Sequence, residues 1–317
     1  MPRWVIRVAI FVLALTAPAA SAAPRVVASV KPVHSLVAGV MDGVAEPALV
    51  LDGGQSPHTY TLSPSEANTV ARADLVVWVG PALESFLQRP VRNLTEPAAR
   101  LRLMAAEGVT SLRTRESGVW EAGHGHGHGN GGDHKHGAES PDAARTDPHI
   151  WLSPANARAI VAAVAARLKR IDPAHAETYA ANAERLAARL TALDRELDEL
   201  LAPVREEAYA VFHDAYHYFE NHYGLQPVGS VTLSPERQPS AHRIHAVREA
   251  LTARGAVCVF REPQFAPDLV RTVTEGVDVK TGVLDPVGAN LDPGPELYFT
   301  LMRELGRGLR DCLQDTG

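Results

Sequence analysis

The chain has 317 residues, 45% of them hydrophobic, and sets 31 Lys and Arg against 37 Asp and Glu for a net charge of −6. That acidic balance counts against nucleic acid as a partner, and the length suits two modest α/β domains, each able to bury its own core. Only two cysteines occur, Cys258 and Cys312, neither beside another cysteine at metal-ligand spacing.

Residues 1–23 carry Arg3 and Arg7 ahead of an apolar run over 8–15 and the small-residue stretch Ala19-Ala20-Ser21-Ala22. This is the layout of a secretory signal peptide cleaved near Ala23, with an apolar run too short to span a bilayer. Its removal leaves 29 basic against 37 acidic residues, a balance of −8. No cysteine follows the apolar run, so the expectation is a soluble periplasmic protein, not a lipid-anchored one. In that oxidising compartment two thiols suggest one disulfide, worth roughly 4 kcal/mol by loop-closure entropy; one buried and one free thiol is the competing reading.

Short apolar runs over 25–30, 48–51, 75–79 and 101–104, then 209–212, 227–231, 257–260 and 279–284, alternate with helical stretches. Alternation of this kind predicts parallel sheets covered by helices, here two Rossmann-like lobes with a four-stranded, mostly parallel sheet in each. Ser63-Pro64-Ser65-Glu66 supplies an N-cap, a first-turn proline and a capping-box glutamate, and Ser153-Pro154 repeats the first two. From Pro173 a stripe of Tyr179, Leu186, Leu190, Leu193, Leu197 and Leu200 predicts one long rigid helix that ends at Pro203, roughly 43 Å long, bracing the lobes against wide hinge motion. The expected boundaries are 24–171 for the first lobe, 172–202 for the linking helix and 203–317 for the second lobe.

Histidines punctuate this pattern. Residues 123–137 read GHGHGHGNGGDHKHG, placing His124, His126, His128, His134 and His136 on a backbone too glycine-rich to fold, within an expected disordered loop over 123–143. Such a tract is a set of weak metal sites or a solvated insert with no role. Three better-ordered histidines lie at predicted strand ends or in the loops beyond them: His58 in GGQSPHTYTLSPS, His149 in DPHIWLSP and His213 in VFHDAYHYF. Open parallel sheets gather ligand sites in that region. Asp285 in GVLDPVG is the fourth candidate, though a turn aspartate capping backbone N–H groups fits its spacing equally well. Three neutral imidazoles with one carboxylate or water form a nitrogen-rich tetrahedral set, which suits zinc better than manganese, magnesium or calcium; copper and nickel also accept imidazole. His34, His175, His222, His242 and His245 read as structural or surface residues, and Trp78 and Trp151 as core or cleft lining.

With these motifs in this order, together with ADLVVWVGPALESFL, VFHDAYHYFENHYGL and CVFREPQF, the chain resembles the zinc-specific, ZnuA-type substrate-binding proteins of bacterial ABC importers across nearly all of its mature length. The resemblance implies His58, His149 and His213 as ligands of one tightly held Zn²⁺, with Asp285 at the family's acidic position near the metal. It also implies a disulfide between Cys258 and Cys312, no catalysis, a monomer, and delivery to an inner-membrane ABC permease with its cytoplasmic ATPase. Manganese receptors have a glutamate where His213 stands, so this imidazole selects for zinc. Two departures stand out. Pro57 occupies a place where some zinc receptors have a glutamate, leaving Asp285 or water as fourth donor. His217, one helical turn beyond His213, reads as lying behind the ligands or at the surface.

Two other readings compete. His213-Asp214-Ala215-Tyr216-His217 has the spacing of a zincin protease motif with aspartate for glutamate, but that motif belongs inside one helix, whereas His213 follows an apolar run as a strand-end residue would. A periplasmic zinc buffer or metallochaperone would use the histidine tract alone and never meet a permease.

Overall fold

The computed structural model describes residues 22–96, 99–115, 119–120, 146–232 and 238–314. Most of the predicted signal peptide lies outside them, as do His124, His126, His128, His134 and His136 of the histidine tract. The described residues form two α/β lobes. The first contains β1 (Val26–Val30), α1 (Lys31–Met41), β2 (Ala48–Leu51), α2 (Pro64–Ala71), β3 (Leu75–Trp78), α3 (Gln88–Arg92), β4 (Arg100–Arg102) and α4 (Pro154–Ile171). After the long helix α5 (Ala176–Leu201), the second contains β5 (Ala208–His213), α6 (His217–Tyr223), β6 (Gln226–Thr232), α7 (Ala241–Ala253), β7 (Cys258–Arg261), α8 (Asp268–Thr274), β8 (Lys280–Val283) and α9 (Leu297–Leu313). Each lobe holds a four-stranded parallel sheet, ordered β2-β1-β3-β4 and β6-β5-β7-β8.

The inner strands β1, β3, β5 and β7 are buried on two faces, which is why they read as nearly continuous apolar runs and not as alternations. Side chains still alternate. In β1, Val26, Ala28 and Val30 enter a core that runs through both lobes, while Val27 joins an outer core with Val50, Val76 and Trp78. In β5, Tyr209 and Val211 face the shared core, while Ala210 and Phe212 join the second lobe's outer core. The predicted strand over 101–104 stops at Arg102, because the chain winds into a 3-10 turn over Leu103–Ala105.

Helix α5 spans 26 residues, about 39 Å at 1.5 Å per residue, and packs against α1 and α4 of one lobe and α9 of the other. It starts at Ala176 and not at Pro173, since Pro173–His175 forms a 3-10 turn held where Asp172 accepts hydrogen bonds from His175 Nδ1 and the Tyr179 hydroxyl, both at 2.7 Å. Its buried stripe ends on Leu201, with Leu200 only partly covered, as a spacing of four from Leu197 requires. Each buried leucine contributes about 1.5–3 kcal/mol.

Polar contacts stitch the lobes between these helices. The nearly buried Lys31 ammonium donates to the carbonyls of Ala289 and Leu291 at 3.0 and 2.8 Å. Trp151 Nε1 donates to the Pro286 carbonyl at 2.8 Å, and the Tyr298 hydroxyl donates to the Trp151 carbonyl at 2.7 Å. Cys258 at the start of β7 is disulfide-bonded to Cys312 on α9, which decides between the two readings of the thiols.

Candidate metal centre

His58 lies on a turn after β2, where its N–H donates to Ser56 Oγ at 3.3 Å. The following helix is anchored by the predicted capping box: Glu66 accepts from the Ser63 N–H at 2.7 Å, Ser63 Oγ accepts from the Glu66 N–H, and the Tyr60 hydroxyl donates to Glu66 at 2.6 Å. His149 immediately precedes the 3-10 turn Ile150–Leu152 that leads into α4. His213 is the last residue of β5, and strand alternation puts it on the side of Tyr209 and Val211, facing the other lobe.

The structure brings these three imidazoles together at the carboxyl ends of the two sheets. One ring nitrogen from each lies within 4.8 Å of the other two, and Nε2 of His58 is 3.4 Å from Nε2 of His149. Two nitrogens bound to a tetrahedral zinc at about 2.0–2.1 Å would be roughly 3.3–3.4 Å apart. His213 Nε2 is buried and has no hydrogen-bond partner among the described residues, a cost that a bound cation would remove. The donor set therefore fits a nitrogen-preferring divalent ion.

Two buried carboxylates fix the rings from behind. His149 Nδ1 donates to Asp147 Oδ1 at 2.7 Å, and His213 Nδ1 donates to Glu262 Oε1 at 2.5 Å. A proton on each Nδ1 leaves the Nε2 lone pair directed at the cavity. Burial pushes the Asp147 carboxyl up to about 7, and burial likewise raises Glu262 against the pull of His213. Burial and the neighbouring His213 hold His149 well below the ordinary imidazole range. Burial also acts to lower His213, but Glu262, Asp214 and Asp147 outweigh it and move this ring above its ordinary value. Asp147→Asn or Glu262→Gln keeps the side-chain shape and removes the charge. Either substitution is expected to weaken metal binding about 10- to 100-fold in competition with a fluorescent chelator.

Asp285 lies two residues beyond β8, with both carboxylate oxygens engaged. Oδ1 accepts from Gln264 Nε2, Val287 N–H and Gly288 N–H at 2.7, 3.1 and 3.0 Å, and Oδ2 accepts from Ala289 N–H at 2.6 Å. Gly288 reaches that carboxylate with φ +70°, where a side chain would be strained. The cleft at the histidines is lined by Pro57, Gln264, Phe265, Pro286 and Val287 besides the rings and Glu262. His217 opens α6, separated from His213 by a loop, so the two histidines do not share the helix that a zincin motif needs. His217 Nδ1 instead lies 3.7 Å from Asp147 Oδ2. His34 Nε2 donates to the Pro47 carbonyl and His222 Nε2 pairs with Asp194, while Trp78 and Trp151 are buried.

The sequence reading missed Asp147 and Glu262. The first was findable, because Asp-Pro-His sets a carboxylate two residues before a ring. Glu262 comes beside His213 only because β7 pairs with β5.

The sequence profile described as zinc-uptake complex component A, periplasmic (ZnuA) matches residues 26–312. The chain belongs to the ZnuA family. The high-affinity zinc uptake system protein ZnuA of Brucella abortus strain 2308 is 44% identical over 304 residues, 91% of each chain. The protein of the same description from Yersinia pestis is 37% identical over 310 residues, 95% of each chain. A crystal structure of ZnuA superimposes with a TM-score of 0.74 at 20% identity, covering 92% of this chain and 100% of its own. The periplasmic zinc-binding protein TroA of Treponema pallidum does so at 0.75 and 19%, covering 92% and 99%. The ZnuA fold is thus shared well beyond sequence similarity.

Proposed function

We propose that this chain is a periplasmic receptor that captures one Zn²⁺ between its lobes through His58, His149 and His213 and delivers it to an ABC permease driven by a cytoplasmic ATPase. The observation that carries the reading is the convergence of three imidazoles from distant parts of the chain, two of them backed by buried carboxylates. Water takes the fourth position, because Asp285 would have to surrender hydrogen bonds that hold its own turn. The protein binds and transfers as a monomer and catalyses nothing, with the segment before Ala23 removed on export. Residues 123–137 add weak sites that collect zinc for the central one. The zinc-hydrolase reading lacks its helical motif. The buffer reading leaves the three-histidine centre without a purpose.

Elemental analysis of the mature protein purified from periplasm should find one tightly held zinc per chain, retained after deletion of 123–137. Loss of all tight binding in that deletion would transfer the function to the tract. Protons compete with the ion for the imidazoles, so binding weakens with acidification. His213, the ring held above its ordinary value, sets the onset: affinity should begin to fall while the pH is still above the ordinary imidazole value, by about tenfold per unit once one proton is displaced on binding. A flat affinity from pH 8 to pH 5 would exclude imidazole ligation.

A further inference from the structure

The segment that runs toward the histidine tract is gripped by both lobes in turn. On the first lobe, the Thr110 N–H donates to Asn156 Oδ1 at 2.8 Å, and Asn156 Nδ2 donates to the Thr110 carbonyl at 3.0 Å. The Leu112 carbonyl accepts from the Asp147 N–H at 2.9 Å, and Arg113 forms an antiparallel bridge with Thr146. A few residues later the chain is on the second lobe. Val119 bridges Gly229 in antiparallel fashion, and the Trp120 N–H donates to the Val228 carbonyl at 2.9 Å. That contact covers the outer edge of β6, the terminal strand of its sheet.

Arg115 sits between the two grips. Its Nη1 donates to Asp214 Oδ1 and Glu220 Oε2, both at 2.8 Å, and its guanidinium carbon is 4.0 Å from the Trp120 ring centroid. Glu220 is buried and accepts a further hydrogen bond from the Tyr209 hydroxyl at 3.2 Å. Both acids lie just beyond the strand end that supplies His213, since Asp214 follows it directly and Glu220 lies on α6, the next element. The same segment also touches the His149 loop from the other side. Tyr218 on α6 accepts from the Leu112 N–H and donates to the Asp147 carbonyl, each at 2.9 Å. Arg115 and Tyr218 therefore tie together the two ligand elements that Asp147 and Glu262 orient, without touching the cavity.

We propose that residues 110–115, together with Val119 and Trp120, form an interlobe latch in which Arg115 is a positioning residue that sets how long the metal stays bound. With the guanidinium between Asp214 and Glu220, the loop bearing His149 and the strand end bearing His213 keep a fixed separation and the three imidazoles stay convergent. Without it, the buried Glu220 and the part-buried Asp214 lose their shared cation and α6 relaxes away from the 112–115 segment. Arg suits this role because its planar fork serves two carboxylates at once. The latch presupposes the receptor reading, as it acts on the release of an ion from the histidine centre.

The test uses the full mature chain loaded with zinc, followed by stopped-flow release into excess chelator. Arg115→Met should raise koff about tenfold or more with kon changed less than threefold, a gap of about 1.4 kcal/mol or more in binding. Arg115→Lys, which keeps one ion pair, should recover part of the loss. Trp120→Pro removes the N–H that holds the strap to β6 without changing charge and should also speed release; if Arg115→Met loses its far-UV dichroism, this variant decides. Wild-type koff in folded Arg115→Met, or in Trp120→Pro when it decides, overturns the latch while leaving the receptor intact. A wild-type protein that takes up no stoichiometric zinc overturns the receptor reading itself.

Discussion

His213→Ala should weaken zinc binding by about two to three orders of magnitude. Binding free energies of about 10–16 kcal/mol for four-ligand zinc sites assign roughly 2.5–4 kcal/mol to each donor, and 1.4 kcal/mol is tenfold. Truncation also strands Glu262, a buried carboxylate whose hydrogen bond is to this ring. Competition against a chelator of known affinity measures the change, and a loss below tenfold would remove His213 from the ligand set. His213→Glu should lose less affinity for manganese than for zinc, because an oxygen donor replaces an imidazole and harder ions prefer oxygen. The same titration with both metals reads this second effect directly.

The second large effect is on stability. The Cys258–Cys312 disulfide joins residues 54 apart in sequence, and closing a loop of that length restricts the denatured chain by about 4 kcal/mol in the chain-entropy description. At roughly 2–4 °C per kcal/mol for a chain of this size class, the double substitution Cys258→Ala with Cys312→Ala should lower the apo melting temperature by about 8–15 °C in scanning calorimetry. The bond fastens α9 to the beginning of β7, whereas Glu262 follows the other end of that strand. Zinc affinity at 25 °C should therefore change little. A drop of less than 3 °C would mean that shared packing of α9 with α5 already does the fastening.

Much of this architecture was legible because it rests on local rules. Runs such as 48–51 and 75–79 are too short and too apolar to be anything but buried strands, and they lie within a residue or so of β2 and β3. Capping chemistry at Ser63 and Ser153 located two helix starts to the residue. The end of β4 and the first turn of the linking helix were not legible, since 3-10 turns carry no distinct periodicity. At the metal centre, His58, His149 and His213 advertised themselves by their places beside proline or aromatic residues. Their supports did not. Glu262 is 49 residues from His213, and Arg115 stands in a stretch whose composition reads as an entry to a low-complexity insert. Partnerships of this kind arise from sheet order and lobe docking, which a linear pattern does not encode.

The seam between the lobes has a consequence for unloading. Lys31 crosses it to two carbonyls, Trp151 and Tyr298 cross it again, and the apolar core continues through it. None of these contacts is made by a ring nitrogen of the three histidines, so the seam does not depend directly on what those nitrogens hold. A container seamed in this way should let its contents go by loosening at the mouth, with its two halves still closed on one another.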